Sequence, residues 1–294
     1  KEYFWIFFYE EDNCMEETGN FLNDKKDSLW KYFYKNGNIK EIGNWKEDLQ
    51  DGHWNYYYEN GIKEAHGDWS EHKKEGIWFY FHENGALREK GLWKRDLQNG
   101  VWRYYTSDNK LSCIGEWMDN LKNGIWKYFH ENGKLKATGR WIGDNQNGFW
   151  KFYNENGKIE SKTLFNKNKS NGISTAYYEN GNIRERGSYR ENKKEGTWKY
   201  FAENGRLMVQ GNWAEDLQNG EWKYFFPNSI PASMGNYRNG MQEGEWLYFH
   251  ENGNIREKGI WNNDKRNDEW YYYDENGILV NVEIYFNGNI VNLS

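Results

Sequence analysis

The six histidines are the side chains of this chain best suited to bind a metal ion. Three of them recur at one position of a repeated unit, at His82, His130 and His250. Three others lie close together in sequence, at His53, His66 and His72. The first set is spread over roughly 20 Å or more, and the second has neither cysteine partners nor the regular spacing of zinc ligands. The sequence therefore predicts no metal site.

The carboxylates and thiols form no reactive group either. A glycosidase needs two carboxylates beside one bond, whereas the acids here recur in turns, at Glu59, Glu83, Glu131, Glu155, Asp48, Asp96 and Asp216. Cys14 and Cys113 lie about four repeats apart, too far for a disulfide, and are predicted to be free thiols. The sequence has no phosphate-binding glycine loop and no nucleophile motif. We therefore expect no catalytic residue and no cofactor.

Aromatic rings supply the remaining chemistry, because they can hold cations, and they are regularly spaced. One tryptophan series has a period of 24 residues, with Ser174 in its one empty place, at Trp30, Trp54, Trp78, Trp102, Trp126, Trp150, Trp198, Trp222, Trp246 and Trp270. A second series follows fifteen residues later, with Trp45, Trp69, Trp93, Trp117, Trp141, Trp213 and Trp261. Of the 18 tryptophans only Trp5 lies outside both series.

Such a period is typical of stacked repeat proteins, whose units bury their apolar surface against each other. The predicted units begin at positions 6, 30, 54, 78, 102, 126, 150, 174, 198, 222, 246 and 270, and they fill residues 1–294 as a single repeat domain. A mean hydropathy of -1.17 leans toward disorder, but 19% aromatic residues favour an ordered chain.

Each unit is predicted to be a β-hairpin. Within residues 126–141 apolar rings alternate with polar residues, and Asn132-Gly133 favours a tight type I′ turn with two positive φ angles. Connectors of about five to seven residues join the hairpins, and the frequent glycines exclude helix. The expected fold class is all-β, an elongated, twisted antiparallel meander of about twelve 24-residue hairpins.

This register gives the sheet two different faces. Trp126 is expected opposite Gly139 with its ring over that glycine, and His130 opposite Leu135. Both tryptophan series are expected on the same face as Trp126, where they form the repeat core. Connector leucines such as Leu49 are expected to cover that face. The opposite face is charged, and we expect it, with the hairpin tips, to contact a partner. Its candidate contact residues are Phe81, Lys127, Phe129, Lys151, Tyr153, Lys199 and Phe201.

Two places depart from the repeat. A degenerate unit around residues 163–176 has Thr163 and Ser174 where other units have glycine and tryptophan. Both prolines lie in the hairpin tip at residues 227–231. Because proline cannot donate a backbone hydrogen bond, we expect a distorted tip or a bulge there.

The unit Gly-x-Trp-x-Tyr-Tyr/Phe-x-Glu-Asn-Gly-x-Ile/Leu-x-x-x-Gly-x-Trp resembles the MORN-repeat variant of bacterial YwqK-like proteins, and the resemblance covers essentially the whole chain. It implies an all-β hairpin array without enzymatic activity. Some members are described as the antitoxin or immunity partner of a toxin. The resemblance therefore implies that the chain binds another protein, with a toxin as one candidate.

The net charge of the chain disfavours some classes of partner. A net charge of -6 opposes binding to nucleic acid and to anionic membrane surfaces. No apolar run is long enough for a transmembrane helix. With two cysteines in 294 residues we expect a cytoplasmic location, and a secreted or cell-surface one if an N-terminal segment has been removed.

Three functions remain open from the sequence. The leading hypothesis is a protein-binding scaffold that presents a long surface of near-identical units. The second is a cell-surface protein that binds carbohydrate or choline, because Gly-x-Trp-x-Tyr-Tyr also resembles bacterial choline-binding repeats with aromatic cages. The third is a structural or assembly subunit that forms oligomers through its end strands.

Overall fold

The structure, a computed structural model, describes residues 2–10 and 13–291. The described residues form β-strands and turns without any helix. The chain divides into two compact units, Lys1–Asn145 and Gln146–Ser294. In the first unit each strand pairs antiparallel with the next one along the chain. The second unit has the same topology. The predicted all-β meander of repeated hairpins is confirmed.

The strands are eight or nine residues long in nearly every repeat. Those of the first unit are β1 (Glu2–Phe8), β2 (Met15–Leu22), β3 (Lys25–Phe33), β4 (Ile39–Lys46), β5 (Leu49–Tyr57), β6 (Lys63–Ser70), β7 (Lys73–Phe81), β8 (Leu87–Lys94), β9 (Leu97–Tyr105), β10 (Leu111–Met118), β11 (Leu121–Phe129) and β12 (Leu135–Ile142). The next strand begins at the last residue of that unit, and the series continues with β13 (Asn145–Tyr153), β14 (Ile159–Asn166), β15 (Lys169–Tyr177), β16 (Ile183–Arg190), β17 (Lys193–Phe201), β18 (Leu207–Ala214), β19 (Leu217–Phe225), β20 (Pro231–Arg238), β21 (Met241–Phe249), β22 (Ile255–Asn262), β23 (Lys265–Tyr273), β24 (Leu279–Phe286) and β25 (Asn289–Ile290).

The hairpin tips do not contain the predicted type I′ turn. The Gly133 N–H donates to the His130 carbonyl, and the His130 N–H donates to the Lys134 carbonyl, both at 2.9 Å. Gly133 has a φ of 81°, whereas Asn132 is not among the residues with positive φ. The tip is therefore a type I turn followed by one left-handed glycine, in a three-residue loop.

The register of the hairpin is confirmed away from its tip. Trp126 faces Gly139, as predicted. Close to the tip the left-handed glycine adds a residue, so the register shifts and Phe129 pairs with Leu135. The predicted pairing of His130 with Leu135 is wrong for this reason.

The connectors are shorter than predicted and contain the type I′ turns. Lys46 pairs with Leu49, so the loop consists of Glu47 and Asp48, with φ values of 51° and 67°. The Asp48 N–H donates to the Lys26 carbonyl at 3.1 Å, and Asp48 Oδ1 accepts the Lys26 N–H at 2.6 Å. These two bonds with the preceding repeat help to hold two left-handed residues where the sequence has no glycine.

A tryptophan ring lies over the glycine of the aromatic face, but it comes from the next repeat. Gly43 faces Trp30 in its own hairpin and Trp54 on the following strand. A Cβ added to Gly43 would lie 2.1 Å from Trp54 Cδ2, so the Trp54 ring occupies that space. The prediction that a tryptophan covers the glycine opposite it in its own hairpin is therefore wrong here, although Trp30 and Gly43 face each other.

The first repeat begins one residue earlier than predicted. Trp5 faces Gly19 and stacks on Phe7 with ring centroids 6.0 Å apart, which are the contacts of a first-series tryptophan. The unit is therefore phased at Trp5 and not at Ile6. The Tyr9 N–H donates to the Cys14 carbonyl at 2.8 Å, five residues ahead, whereas the equivalent bond from His130 reaches Lys134, four residues ahead.

The proline-containing tip has the ordinary turn. The Ser229 N–H donates to the Phe226 carbonyl at 2.8 Å, and Ser229 takes the left-handed position with a φ of 69°. Pro227 thus follows the first turn residue, where its fixed φ fits a type I turn. Pro231 begins β20 opposite Phe225. The expected distortion at residues 227–231 is not found, because both prolines avoid positions that must donate.

The degenerate repeat keeps its strand pairing through a paired substitution. Thr163 faces Ser174, and their hydroxyl oxygens lie 2.8 Å apart in a buried hydrogen bond. With no indole at position 174, the facing residue has room for a side chain. The loss of tryptophan and the loss of glycine in this unit therefore belong together.

Candidate functional site

The aromatic face is a ladder of stacked rings. In the first unit Trp54 stacks on Tyr56 at 6.0 Å, and Tyr56 stacks on Trp78 of the next repeat at 5.9 Å. The second series meets the first edge to face, as Trp69 and Trp78 do at 5.5 Å, so both series lie on one face. The first-series rings are buried, at Trp30, Trp54, Trp78, Trp102, Trp126, Trp150, Trp198, Trp222, Trp246 and Trp270. Those of the second series are half-buried, at Trp45, Trp69, Trp93, Trp117, Trp141, Trp213 and Trp261.

On this face, tryptophans of both series and a tyrosine surround one further side chain in most repeats, an arrangement that we call an aromatic box. In many of these boxes the enclosed side chain is a cation of the chain itself. Lys74 Nζ lies 4.5 Å from the Trp78 ring centroid, 4.9 Å from Trp93 and 5.3 Å from Tyr80. Burial lowers the pKa of Lys74. Equivalent boxes are filled four residues before a first-series tryptophan by Lys26, Lys122, Lys194 and Arg266. These cation-π contacts replace water around each charge and bind neighbouring repeats together.

Other boxes hold a glutamine in the place of the cation. In the box of Gln50 the Tyr56 hydroxyl accepts the Trp69 indole N–H at 2.9 Å. In the lysine box the Tyr80 hydroxyl accepts instead from Lys74 Nζ at 3.1 Å. Glutamines also stand at this position at Gln98, Gln146, Gln218 and Gln242. The recurrence of a cation or a glutamine at this position is visible in the sequence, but sequence reasoning missed it because it considered only the rings.

The tyrosines of these boxes are held in their neutral form. Burial raises the pKa of Tyr128 to about 12. Burial likewise raises the pKa of Tyr56 and Tyr80, since an ionised phenol would lose its hydration among the indole rings. Each hydroxyl therefore stays available as a hydrogen-bond partner for lysine or indole.

The charged face, defined as the face opposite the tryptophans, exposes an aliphatic row in the first unit. The residues just before three first-series tryptophans are Ile77, Val101 and Ile125, which are 57%, 42% and 49% exposed. Exposed Arg103 and Lys127 lie beside the row, each two residues after a member of it. The connector leucines are also exposed, Leu49 by 43%, so the prediction that they cover the tryptophan face is wrong.

The same row changes character along the second unit. It begins with Phe149 and Ile173, which are 45% and 43% exposed. It continues with exposed polar residues at Thr197, Glu221, Glu245 and Glu269. The charged face of this unit therefore passes from apolar to acidic within one regular scaffold. Sequence reasoning described this face as charged and overlooked the row, although the row has the same 24-residue period as the tryptophans.

The candidate contact residues all lie at or near the charged face. Their cationic members are exposed, at Lys127, Lys151 and Lys199. Their aromatic members are half-buried near the hairpin tips, at Phe81, Phe129, Tyr153 and Phe201. In both units an exposed lysine thus lies two residues before a half-buried ring, as at Lys127 and Phe129 and at Lys199 and Phe201.

The repeated polar residues at the tips link neighbouring repeats. His82 Nε2 donates to the Tyr105 carbonyl at 3.1 Å, and the Tyr58 hydroxyl makes the same contact with the Phe81 carbonyl at 2.7 Å. Asn36 Nδ2 donates to the carbonyl of the next tip at 2.9 Å. These contacts explain the recurrence of histidine and asparagine as structural, in the same way as the aspartates of the connectors.

The second group of histidines is divided between the two faces. His53 Nδ1 lies 2.7 Å from Asp68 Oδ1, and the His53 and His66 rings lie 5.4 Å apart. Burial lowers the pKa of His66. His72 stacks between two second-series tryptophans, 6.2 Å and 5.7 Å away. Within residues 2–10 and 13–291, no group of three or more His, Cys, Asp or Glu side chains is placed to hold a metal ion.

Cys14 and Cys113 are free thiols. In the described part of the chain, no helix has the length and apolar character needed to span a membrane.

The chain matches the family model described as MORN repeat variant. The matched residues are 26–47, 74–95, 122–141, 146–167, 170–191, 194–215, 218–239 and 242–263, more than half of the chain. No curated protein matches it.

Solved structures of much larger chains are similar over nearly the whole length. A crystal structure of TcdB2-TccC3 has 9% identity over 96% of this chain and 18% of its own, with a TM-score of 0.20. A Photorhabdus luminescens Tc holotoxin pore has 12% identity over 99% of this chain and 16% of its own, with a TM-score of 0.19. The chain spans less than a fifth of either of these.

Proposed function

Because the chain belongs to the MORN repeat variant family, we propose that it is a non-enzymatic scaffold that binds another protein through its charged face. The observation that carries this proposal is the exposed aliphatic row at Ile77, Val101 and Ile125. Aliphatic side chains beside arginine and lysine offer a partner both apolar area to bury and charges to orient it. The partner we propose is a bacterial toxin that the scaffold neutralises, in line with the sequence resemblance.

The aromatic face supports the same assignment, because its rings are less available to an outside ligand. Its first-series rings are buried, and Lys26, Lys74 and Lys122 already stand over them. A choline headgroup would have to displace a side chain of the chain itself from such a box. The charged face has exposed apolar groups that need no such displacement. For this reason we favour a protein partner over the carbohydrate or choline alternative.

Capture of the partner by the immobilised chain tests the proposal. We expect a variant with Ile77→Thr, Val101→Thr and Ile125→Thr to bind the captured protein about tenfold more weakly or worse, because buried apolar anchors dominate such interfaces. Threonine fits the strand, since Thr197 occupies the same repeat position.

The matched control replaces exposed leucines at the connector turns. Leu49, Leu97 and Leu121 are 43%, 38% and 46% exposed, close to the values of the row. A variant with all three changed to threonine is expected to bind like the unmodified chain. The proposal fails if both variants bind like the unmodified chain, or if the control variant loses as much affinity as the row variant.

A further inference from the structure

One position at the hairpin tip is built to receive a ring with a hydrogen-bond donor. In the second unit the Tyr178 hydroxyl donates to the Phe201 carbonyl at 2.7 Å, and His250 Nε2 reaches the Tyr273 carbonyl at 3.0 Å. In the first unit Tyr34 makes the same contact with the carbonyl 23 residues ahead. The donor ring fills the space between one tip and the next, and its polar atom satisfies a backbone carbonyl.

Asn154 occupies this position in the unit that begins at Trp150, and its side chain points elsewhere. Asn154 Oδ1 accepts the N–H groups of Asn156 and Lys158, both at 3.0 Å, so the amide closes its own turn. It has no ring to put where Tyr178 has one. Between this tip and the next lies a hollow of about 500 Å³.

The walls of the hollow suit a phenol. Ile159 and Ser161 line it from one hairpin, and Tyr177 and Tyr178 line it from the next. Tyr177 is the counterpart of Phe201, the residue whose carbonyl accepts a tyrosine hydroxyl one repeat later. Apolar surface therefore stands beside a backbone acceptor, which is the combination that a tyrosine side chain needs when it is buried.

Charged residues surround the mouth of the hollow. Glu160, Glu179 and Arg184 line it, and all three are exposed. Two carboxylates against one guanidinium leave the mouth acidic, which disfavours a guest that carries a carboxylate beside the ring. A tyrosine within a peptide has amide groups at that place and no charge.

We propose that the hollow beside Asn154 is a subsite for a tyrosine side chain of the bound protein, whose hydroxyl donates to the Tyr177 carbonyl. The proposal rests on the scaffold function, because the tyrosine comes from the partner. Tyrosine is enriched among the residues that anchor protein interfaces. Lys151 and Tyr153, two candidate contact residues, lie on β13, the strand that leads into this tip.

Titration with N-acetyl-L-tyrosinamide, followed by the amide NMR signals of the full chain, tests the subsite. We expect saturable shifts at Ser161, Tyr178 and Arg184. N-acetyl-L-phenylalaninamide should bind about fivefold more weakly, because it lacks one hydrogen bond. Asn154→Tyr should fill the hollow and abolish the shifts, while the remaining spectrum shows that the chain is folded.

Thr106→Tyr is the matched control. Thr106 has the same repeat position in the first unit and also closes its own turn, by accepting the Lys110 N–H. This variant should bind the tyrosine probe within twofold of the unmodified chain. Equal affinity for the two probes, or unchanged tyrosine binding by the Asn154→Tyr chain, overturns the proposal.

The probe requires no partner, so the two proposals fail in different ways. If the tyrosine probe does not bind but the chain still captures a protein through the aliphatic row, only the tyrosine anchor is rejected. Saturable probe binding by a chain that captures no protein through the aliphatic row rejects the scaffold function.

Discussion

Gly91→Thr is expected to destabilise the chain by about 3 kcal/mol or more, because the new side chain has no space. A Cβ at Gly91 would lie 2.2 Å from Trp102 Cδ2. The Trp102 ring cannot move away easily, since it is 0% exposed and packs between Tyr80 and Tyr104 at 6.5 Å and 6.1 Å. Chemical denaturation followed by circular dichroism measures the loss without relying on the fluorescence of the perturbed tryptophan.

The degenerate repeat shows which second substitution should compensate for Gly91→Thr. Trp102→Ser alone should cost about 3–5 kcal/mol, as the loss of a buried aromatic ring does. The double variant Gly91→Thr/Trp102→Ser reproduces the Thr163 and Ser174 pair, which forms a buried hydrogen bond. We therefore expect a coupling of about 2 kcal/mol in the double-mutant cycle. Strictly additive losses would contradict the close packing of ring against glycine.

A second glycine separates this steric effect from backbone strain. An added Cβ on Gly133 has nothing within 4 Å, but the residue has a φ of 81°. Gly133→Ala should therefore cost only about 1 kcal/mol, from the strained backbone conformation. Gly91→Ala should cost clearly more, although its backbone conformation suits alanine. Equal costs at the two positions would mean that the ring does not occupy the space over Gly91.

Lys74→Glu is expected to be the next most damaging substitution, with a loss of about 3 kcal/mol. It would place a carboxylate over the faces of Trp78, Trp93 and Tyr80, whose negative π clouds now attract the lysine. Lys74→Gln should cost about 1 kcal/mol or less, because Gln50 and Gln98 occupy the same position in the adjoining repeats. Urea denaturation of the unmodified chain and the two variants measures the order of their free energies of unfolding.

The neighbouring lysine gives the matched control for Lys74. Lys73 lies on the same strand and is exposed. Lys73→Glu makes the same change of charge in water and should alter the free energy of unfolding by about 0.5 kcal/mol or less. A Lys74→Glu chain as stable as the Lys73→Glu chain would show that the aromatic boxes do not bind their cations.

The regular period made most of the fold predictable from the sequence. Tryptophans 24 residues apart, most of them with a glycine thirteen positions later, specify the hairpin register, and Trp126 does face Gly139. The turn types could not be predicted in the same way. Asn132-Gly133 favours two positive φ angles locally, yet only the glycine has one. Glu47 and Asp48 have two, although glutamate does not favour that region, because Asp48 bonds to Lys26 of the preceding repeat.

The choice of ring over each glycine lies beyond local sequence information as well. Gly43 has a tryptophan on either side, Trp30 and Trp54, and both pairings satisfy the alternation of the strands. Only the three-dimensional packing decides that the Trp54 ring lies over it. At the candidate site, sequence reasoning selected charged residues such as Lys127. It missed Ile77 and Val101, because single aliphatic residues in a strand are normally assigned to a core.

Lysine footprinting of the chain, alone and with its captured protein, tests most directly whether the charged face is the binding surface. Reagent reaches Lys127, Lys151 and Lys199 in the free chain, since all three are exposed. We expect the partner to protect these lysines and to leave the reactivity of the box lysines Lys74 and Lys122 unchanged. Protection confined to the box lysines, with the charged face still fully reactive, would show that the partner binds the other face.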